Sequence, residues 1–303
     1  MGVRSRFLCS LVLAGGLATS AMALAPAAAS ASATHHGAYV CAGTPKAPGV
    51  LTGRHRSNVV VKGACQVNAG RAFVAGNLTL RPGAVLIAAF GLNARTGKGS
   101  SSLTVAGDLR VGRGAAMVLG CDPSSFPCLD DPNQNAPTLS SHDRVFGNLR
   151  SWQALGVVVH NVSVGGNVRQ RGGGGGVTCT PSGIFAQFGS PVYSTYEDST
   201  VGGNIRVSGV NSCWMGLIRL HVRGSVFVRN NQLADPDAIE INDNHIAGDL
   251  ACRGNSMVWD SADLTENLFP RQPQPNTVGG ERHGQCVLNS PTSPNDTPGP
   301  GSF

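Results

Sequence analysis

One short phrase of apolar and polar positions recurs along the chain, from "FVAGNLTL" to "HIAGDLAC". Every copy has a glycine with a β-branched residue two positions before it and an aliphatic residue two positions after it. The seven glycines are Gly76, Gly107, Gly147, Gly166, Gly203, Gly224 and Gly248. Apolar residues that alternate with polar ones are typical of strands buried on one face. The phrase therefore predicts short strands whose aliphatic residues share a core.

The spacing of the phrase predicts how these strands are arranged. Successive glycines are separated by 31, 40, 19, 37, 21 and 24 residues. Intervals near 20 residues correspond to one turn of a coiled parallel sheet, with turns stacked about 4.8 Å apart. The longer intervals predict three inserted loops, residues 91–101, 121–143 and 172–199, which are rich in loop-forming residues. The predicted fold is all-β, a right-handed parallel β-helix of about seven coils.

A small polar residue follows each repeat glycine. These residues are Asn77, Asp108, Asn148, Asn167, Asn204, Ser225 and Asp249. We expect the pair to form a bend at which a positive φ is tolerated, since glycine adopts it without the cost that other residues have. The stacked polar side chains are expected to hydrogen-bond along the helix axis.

The ends of the repeat region resemble caps. Residues 57–67 predict a first strand and turn, and residues 276–286 predict a half-repeat, each with a cysteine. Such caps would protect the exposed edges of the sheets. The predicted β-helix domain spans residues 57–288, after an extension at 34–56. The Pro- and Ser-rich residues 289–303 predict a disordered tail.

Composition and the N-terminus indicate export. Residues 1–33 combine Arg4 and Arg6, an apolar stretch and a run of small residues, the pattern of a signal peptide cleaved after Ala33 or Ala31. No other stretch is apolar enough to span a bilayer, so the mature chain is expected to be secreted and soluble. Its formal net charge of +6 falls to +4 when Arg4 and Arg6 are removed.

Eight cysteines remain after Cys9 is removed with the signal peptide. An even number in an oxidising compartment predicts four disulfides, and eight cysteines allow 105 pairings. Pairing by sequence proximity gives Cys41–Cys65, Cys121–Cys128, Cys179–Cys213 and Cys252–Cys286. Because there is no Cys-x-x-Cys pair, a zinc site is the less favoured alternative, and we expect no metal and no cofactor.

The repeat and the C-terminal segments "HIAGDLACRGN" and "NTVGGERHGQC" resemble a group of exported β-helix proteins of high-GC Gram-positive bacteria. The resemblance covers about residues 57–288 and departs from the group in its three long insertions. It implies a β-helix at or outside the cell envelope. The group is largely uncharacterised, so the resemblance implies no catalytic residue.

Four consecutive copies of the phrase carry arginine three positions after the glycine. These are Arg110, Arg150, Arg169 and Arg206. On stacked turns their guanidinium groups would form an outward line roughly 15 Å long. Such a line suits a repeating anionic polymer, such as a wall teichoic acid or an acidic polysaccharide, and nucleic acid is less expected. The alternative is a solvated face on which arginine stems cover the sheet.

The insertions contain the other candidate residues. They are Asp122, Asp130, Asp131, His142 and Asp143 in one loop, and Tyr193, Tyr196, Glu197 and Asp198 in "YSTYED". A carboxylate from each loop could cleave a sugar chain by acid–base chemistry, whereas the alternative is ordinary loop composition. The Cys121–Cys128 pair would brace the first loop.

Other short motifs point to structure rather than chemistry. The acidic segment 233–245 has Asp235, Asp237, Glu240 and Asp243 but lacks calcium-loop spacing, so we expect an acidic turn. "RGGGGGV" at 171–177 lacks the Lys-Ser/Thr of a phosphate loop and predicts a mobile loop. No Gly-x-Ser-x-Gly motif is present.

These observations predict a secreted, non-enzymatic β-helix protein that acts at the cell envelope as a binding or structural module. One alternative is a polysaccharide lyase or glycoside hydrolase on the same scaffold, which rests on analogy of fold. A second alternative is a self-assembling surface protein, which the disulfide-bearing caps disfavour.

Overall fold

The computed structural model describes residues 37–88, 93–120, 143–235, 239–258 and 276–287. Regular structure in these ranges is β-strand apart from one short 3₁₀ helix, Phe185–Phe188. The first half contains β1 (Tyr39–Gly43), β2 (Gly49–Val50), β3 (Gly53–His55), β4 (Val59–Gln66), β5 (Arg71–Val74), β6 (Leu78–Leu80), β7 (Val85–Ala88), β8 (Ser102–Val105), β9 (Leu109–Val111), β10 (Ala116–Gly120), β11 (Arg144–Val145), β12 (Leu149–Ala154), β13 (Gly156–His160) and β14 (Ser163–Val164). The second half contains β15 (Val168–Gly173), β16 (Tyr193–Glu197), β17 (Thr200–Val201), β18 (Ile205–Ser208), β19 (Asn211–Ser212), β20 (Trp214–Ile218), β21 (His221–Val222), β22 (Val226–Arg229), β23 (Gln232–Leu233), β24 (Ile239–Asn242), β25 (His245–Ile246), β26 (Leu250–Arg253), β27 (Thr277–Val278) and β28 (Arg282–Gly284).

The strands form three long parallel sheets and one separate parallel pair, β19 with β23, which confirms the predicted parallel β-helix. Sheet 1 runs in the order β1, β4, β6, β9, β12, β15, β18, β22, β26, β28. Sheet 2 runs β2, β4, β7, β10, β13, β16, β20, β24, with β4 shared because its two halves pair with different neighbours. Sheet 3 runs β3, β5, β8, β11, β14, β17, β21, β25, β27.

Eight turns of the described chain supply strands to all three sheets, and β26–β28 begin the turns beyond them. The helix starts earlier than the repeat suggests. Strands β1–β3 lie within residues 34–56, for which the sequence predicts an extension before the β-helix. They pair with β4 and β5 and form a complete first turn. This turn lacks the repeat phrase, so the periodic pattern does not mark it.

The predicted aliphatic columns form the core between the sheets. Every residue of both columns is buried within the described turns. The column before the glycine is Val74, Val105, Val145, Val164, Val201, Val222 and Ile246, and the column after it is Leu78, Leu109, Leu149, Val168, Ile205, Val226 and Leu250. Stacking identical positions keeps each column continuous, so the apolar surface of one turn is covered by the next.

The polar residues at the corner form the expected ladder. Each side-chain oxygen accepts a hydrogen bond from the backbone N–H of the corresponding residue in the next turn, at 2.8–3.0 Å. The ladder runs from Asn58 to Glu281 without a break. It satisfies backbone donors at a corner where the sheet hydrogen bonding is interrupted.

The bend does not use the tolerance of positive φ that we expected there, because none of the seven repeat glycines adopts a positive φ. Glycine is required there by close packing of successive turns. A Cβ at Gly203 would lie 2.6 Å from Asn167 Oδ1 and 3.0 Å from the Gly166 carbonyl oxygen. Positive φ angles fall at other corners, for example at Gly209 and Gly254, which directly follow strands β18 and β26 of sheet 1.

Three of the four predicted disulfides are confirmed. Cys41–Cys65 links the first two turns, Cys252–Cys286 joins the last strands of sheet 1 to the chain that follows them, and Cys179–Cys213 anchors an insertion. The Cys121–Cys128 pair lies outside the described residues. No helix in the described part of the chain is long and apolar enough to cross a membrane.

The predicted loop at 172–199 is shorter than expected. Residues 193–197 form β16, and β15 extends to Gly173. The segment between them packs against the outer face of sheet 2, where Phe185 and Val192 join a second apolar cluster with Tyr193 and Trp214. Tyr193 makes edge contacts with Phe185 and Trp214, at centroid distances of 5.4 and 6.0 Å. These apolar contacts fix the insertion on the outer face of sheet 2.

Candidate anionic-ligand site

The four arginines of the predicted strip are directly adjacent on the outer face of sheet 1. In the strand register Arg110 is opposite Arg150, Arg150 opposite Arg169, and Arg169 opposite Arg206. All four side chains are exposed because the alternating residues of the same strands point into the core. Thr79, Phe227 and Ala251 continue the column at its two ends, as the repeat predicts.

A second cationic column runs beside the first and was missed in the sequence. Its arginines and lysine lie two residues after the first column, on the same face of the strands. They are Lys62, Arg81, Arg171, Arg229 and Arg253, and all are exposed. In the sequence a basic residue recurs five positions after the repeat glycine, but Gly112, Trp152 and Ser208 interrupt this pattern.

A groove of about 410 Å³ lies where the second column is interrupted. Its walls include Trp152, Gly112, Arg110, Arg150, Arg169 and Arg171. Trp152 follows Ser151, which is opposite Val111, so the indole is beside Gly112 on the preceding turn. A Cβ at Gly112 would lie 2.8 Å from the Leu80 carbonyl oxygen, so glycine is required there by the preceding turn, and the indole of Trp152 is 48% exposed.

Aromatic rings and guanidinium groups are interleaved across this face. The Arg171 guanidinium carbon lies 4.9 Å from the Trp152 ring centroid. Phe227 is contacted by Arg206 at 4.9 Å and by Arg229 at 5.3 Å. These distances are those of cation–π contacts, which reduce the mobility of the arginine side chains.

Asp108 partly neutralises one end of the strip. Its Oδ2 is 3.2 Å from Arg110 Nη2 and 3.8 Å from Arg150 Nη2. Burial opposes ionisation of this carboxyl, but hydrogen bonds from Asn148 and the nearby Arg110 and Arg150 outweigh it and lower the pKa of Asp108. Asp108 is therefore an anion at neutral pH, and the uncompensated positive charge is centred on Arg169, Arg171 and Arg206.

The candidate residues of the insertions do not form an open site among the described residues. Asp130, Asp131 and His142, together with Asp122, lie outside the described ranges. Asp143 is buried, and its carboxylate accepts hydrogen bonds from the backbone N–H groups of Leu103 and Gly120. This arrangement gives Asp143 a structural role at a corner.

The "YSTYED" residues belong to strand β16 and the turn after it rather than to a loop. Tyr196 points into the core, where its hydroxyl donates to Gln170 Oε1 at 2.9 Å, and burial raises its pKa. Tyr193 faces the opposite side, in the second apolar cluster. Both rings are at least 96% buried, so neither offers its hydroxyl to a ligand.

Glu197 and Asp198 belong to a buried charge cluster that the sequence did not reveal. Asp198 Oδ1 and Oδ2 lie 2.7 and 2.8 Å from Nε and Nη2 of Arg219, and Asp198 Oδ2 lies 2.7 Å from His160 Nε2. Glu197 Oε2 lies 3.2 Å from Arg219 Nη2. These residues occupy three successive turns at the end of sheet 2. They come from different repeats, which explains why no local motif marked them.

The two carboxyls of this cluster respond oppositely to their surroundings. Burial raises the pKa of Glu197 more than His160, Arg219 and Thr195 lower it. Burial also opposes ionisation of Asp198, but hydrogen bonds from His160 and Arg219 outweigh it and lower the pKa of Asp198. Arg219 therefore stabilises the ionised form of Asp198 more than that of Glu197, and the negative charge of Glu197 is poorly compensated.

A metal ion would compete with Arg219 for this cluster. The ligand atoms of His160, Glu197 and Asp198 lie within 4.8 Å of one another, which is compact enough for one ion. The Arg219 guanidinium already binds both carboxylates, so its charge occupies the position that a cation would need. A second compact group, Cys179, Cys213 and Asp235, is unsuitable because its sulfurs form a disulfide.

Comparison with known proteins gives no relative. The chain matches no protein-family model, no curated protein and no solved structure. Any functional conclusion therefore depends on the geometry described above.

The acidic segment 233–245 contains a strand rather than a simple turn. Ile239–Asn242 form β24, and Glu240 is buried on the outer side of sheet 2. Its Oε1 accepts a hydrogen bond from Trp214 Nε1 at 2.8 Å. Asp237 lies outside the described residues. "RGGGGGV" likewise begins as strand β15, and Gly172–Gly176 all have positive φ.

We predict that Glu197→Gln stabilises the protein increasingly as pH rises. A raised pKa means that protonated Glu197 contributes stability below its ordinary pKa of 4.5, and that this contribution is lost as pH rises through the folded-state pKa. Glutamine retains the shape without the charge. Denaturant unfolding should give a gain of about 1 kcal/mol at pH 7.5 and less at pH 4.5.

The control for this prediction is Glu281→Gln, which removes the same charge from a side chain that is 82% exposed. We expect its unfolding free energy to match the wild type at both pH values. A loss of stability at pH 7.5 in Glu197→Gln would contradict the assignment of Glu197 as the poorly compensated carboxyl.

Proposed function

We propose that the protein binds a linear anionic polymer along the outer face of sheet 1. The observation that carries this proposal is the in-register column Arg110, Arg150, Arg169 and Arg206 on consecutive turns. A polymer aligned with the helix axis would meet one guanidinium group about every 4.8 Å. Guanidinium groups form strong, charge-assisted hydrogen bonds with carboxylates and phosphates.

The second column supports this function because it widens the cationic face without adding anions. The outward positions of β12, β15, β18, β22 and β26 contain no Asp or Glu. Like charges this close repel one another at a modest cost that solvent and salt reduce. A bound polyanion would remove that repulsion, and this gives the face a higher affinity for polyanions than for single anions.

Export and a position at the cell envelope are part of the proposal. The signal-peptide pattern at 1–33 supports export, and the three disulfides are typical of proteins in oxidising compartments. The resemblance of the repeat to exported β-helix proteins supports the same location. An acidic wall polymer or polysaccharide would be available there.

A binding role is favoured over polymer cleavage by the state of those candidate carboxylates that the structure describes. Glu197 and Asp198 are buried in ion pairs with Arg219, and Asp143 is bound to backbone N–H groups. A catalytic carboxyl must reach the glycosidic oxygen or the anomeric carbon of its substrate. These three carboxyls are committed to other contacts in the folded protein.

Co-sedimentation of the oxidised mature protein with purified cell wall tests the proposal. We expect binding at low salt that falls steeply as salt rises, since an exposed cationic face is screened. Wall stripped of its anionic polymers should retain little protein. Equal retention by intact and stripped wall would reject the proposed function, and release of reducing or unsaturated ends would favour the enzyme.

A further inference from the structure

We infer that the groove beside Trp152 binds a sugar ring, and that the anionic polymer is therefore an acidic polysaccharide of the polyuronate class. The inference rests on the proposed function, because the same arginines would bind the charges of the polymer. It adds a requirement that a flexible polyphosphate or polypeptide does not meet. That requirement is a ring with an apolar C–H face next to one of the recognised charges.

The first step is the open face of the indole. Arg171 covers one side of Trp152 with its guanidinium carbon 4.9 Å from the ring centroid. Gly112 is the neighbour of Trp152 on the preceding turn, and the groove that both residues line lies beside the indole. An exposed aromatic ring in a groove offers a flat apolar surface that water solvates poorly. The C–H face of a pyranose ring matches such a surface.

The second step is the arrangement of charge around that surface. Arg110 and Arg150 line the groove on the side of the first column, and Arg169 and Arg171 line it on the following turn. A sugar that stacks on Trp152 would have its carboxylate within reach of these guanidinium groups. A planar carboxylate suits the bidentate geometry of guanidinium.

The third step is the repeat distance. Arg169 and Arg206 follow on successive turns, about 4.8 Å apart. One monosaccharide unit in an extended chain has a similar length, so each following carboxylate can meet the next arginine. The groove would then fix the position of the polymer and the strip would bind its continuation.

The same face suits single-stranded nucleic acid less well. Non-specific binding of single strands relies on several aromatic rings that stack successive bases. Among the Trp, Tyr and Phe side chains on the described outer face of sheet 1, Trp152 lines the groove, whereas Phe227 contacts the guanidinium groups of both Arg206 and Arg229. A single stacking position with repeated charges favours a polysaccharide.

The test compares the binding of polygalacturonate, inorganic polyphosphate, poly-L-glutamate and a single-stranded oligonucleotide by calorimetry. We expect Trp152→Ala to weaken polygalacturonate binding about tenfold and to change polyphosphate binding less than twofold. Phe146→Ala is the matched control because Phe146 is 60% exposed and follows a strand of sheet 3. It should bind every polymer as the wild type does.

Fluorescence gives a second readout that does not depend on affinity. Trp214 is fully buried and Trp259 lies outside the described residues, so the measurement uses a Trp259→Phe background. A change in emission on adding polygalacturonate should then arise at Trp152 and vanish when Trp152→Ala is added. Unchanged polygalacturonate affinity in Trp152→Ala, or equal wild-type affinity for poly-L-glutamate, would overturn the polyuronate assignment and leave polyanion binding intact. Trp152-dependent binding of the oligonucleotide alone would assign the groove to nucleic acid. Failure of all four polymers to bind would reject the proposed function itself.

Discussion

Arg219→Met is expected to destabilise the fold by about 3 kcal/mol, because it leaves two buried carboxylates without their cation. Glu197 and Asp198 have side chains that are 2% and 3% exposed, and Arg219 is their shared partner at 2.7–3.2 Å. Methionine keeps the aliphatic stem and removes the charge. Denaturant unfolding at pH 7, with the disulfides intact, measures the loss.

Two matched variants separate charge from side-chain packing. Arg223→Met removes an exposed arginine four residues later and should change the unfolding free energy by less than about 0.5 kcal/mol. Adding Glu197→Gln and Asp198→Asn to Arg219→Met should restore part of the loss, since the buried charges are then removed together. If the triple variant is as unstable as the sum of its parts, the cluster is not a coupled charge network.

Replacing Arg110, Arg150, Arg169 and Arg206 by glutamine is expected to weaken polyanion binding about 100-fold. Four partly exposed contacts of roughly 0.7 kcal/mol each sum to this factor at moderate salt. The salt dependence should also become shallower, because fewer counterions are displaced when the polymer binds. Calorimetry of the wild type and the variant across a salt series gives both quantities.

The control for this variant removes four exposed arginines from the strands of sheet 3 or the residues next to them. These are Arg54, Arg71, Arg144 and Arg223, replaced together by glutamine. Both variants lose the same formal charge, so a general dependence on net charge predicts equal losses of affinity. We expect the affinity of the control for the polyanion to fall less than about fivefold, because salt screens charges that lie far from the bound polymer. Equal losses would show that the strip has no special role.

The β-helix could be predicted because its core repeats in the sequence. Two aliphatic columns and one polar column have fixed offsets from each glycine. Because successive turns stack in register, residues with the same offset lie above one another in the fold. The reason for the glycine could not be predicted, since the contact of Gly203 with Asn167 is made between turns rather than within one. The first turn was missed for a related reason, because β1–β3 pair correctly without the phrase.

The candidate site was only partly visible in the sequence. The strip was found because its four arginines share one offset from the repeat glycine. Trp152 and Arg171 were missed because their column is interrupted, and the groove that they line is formed by residues of several turns. His160 and Arg219 were missed because their contacts with Asp198 join turns separated by insertions of unequal length.

Arginine footprinting tests the central claim most directly, namely that the outer face of sheet 1 binds an anionic polymer. The wild-type protein would be modified with phenylglyoxal with and without polygalacturonate, and each arginine would be quantified by mass spectrometry. We predict that the polymer protects Arg150, Arg169, Arg171 and Arg206, while Arg54 and Arg223 react as in the free protein. Protection of Arg54 and Arg223, or equal reactivity of every arginine with and without the polymer, would contradict the account.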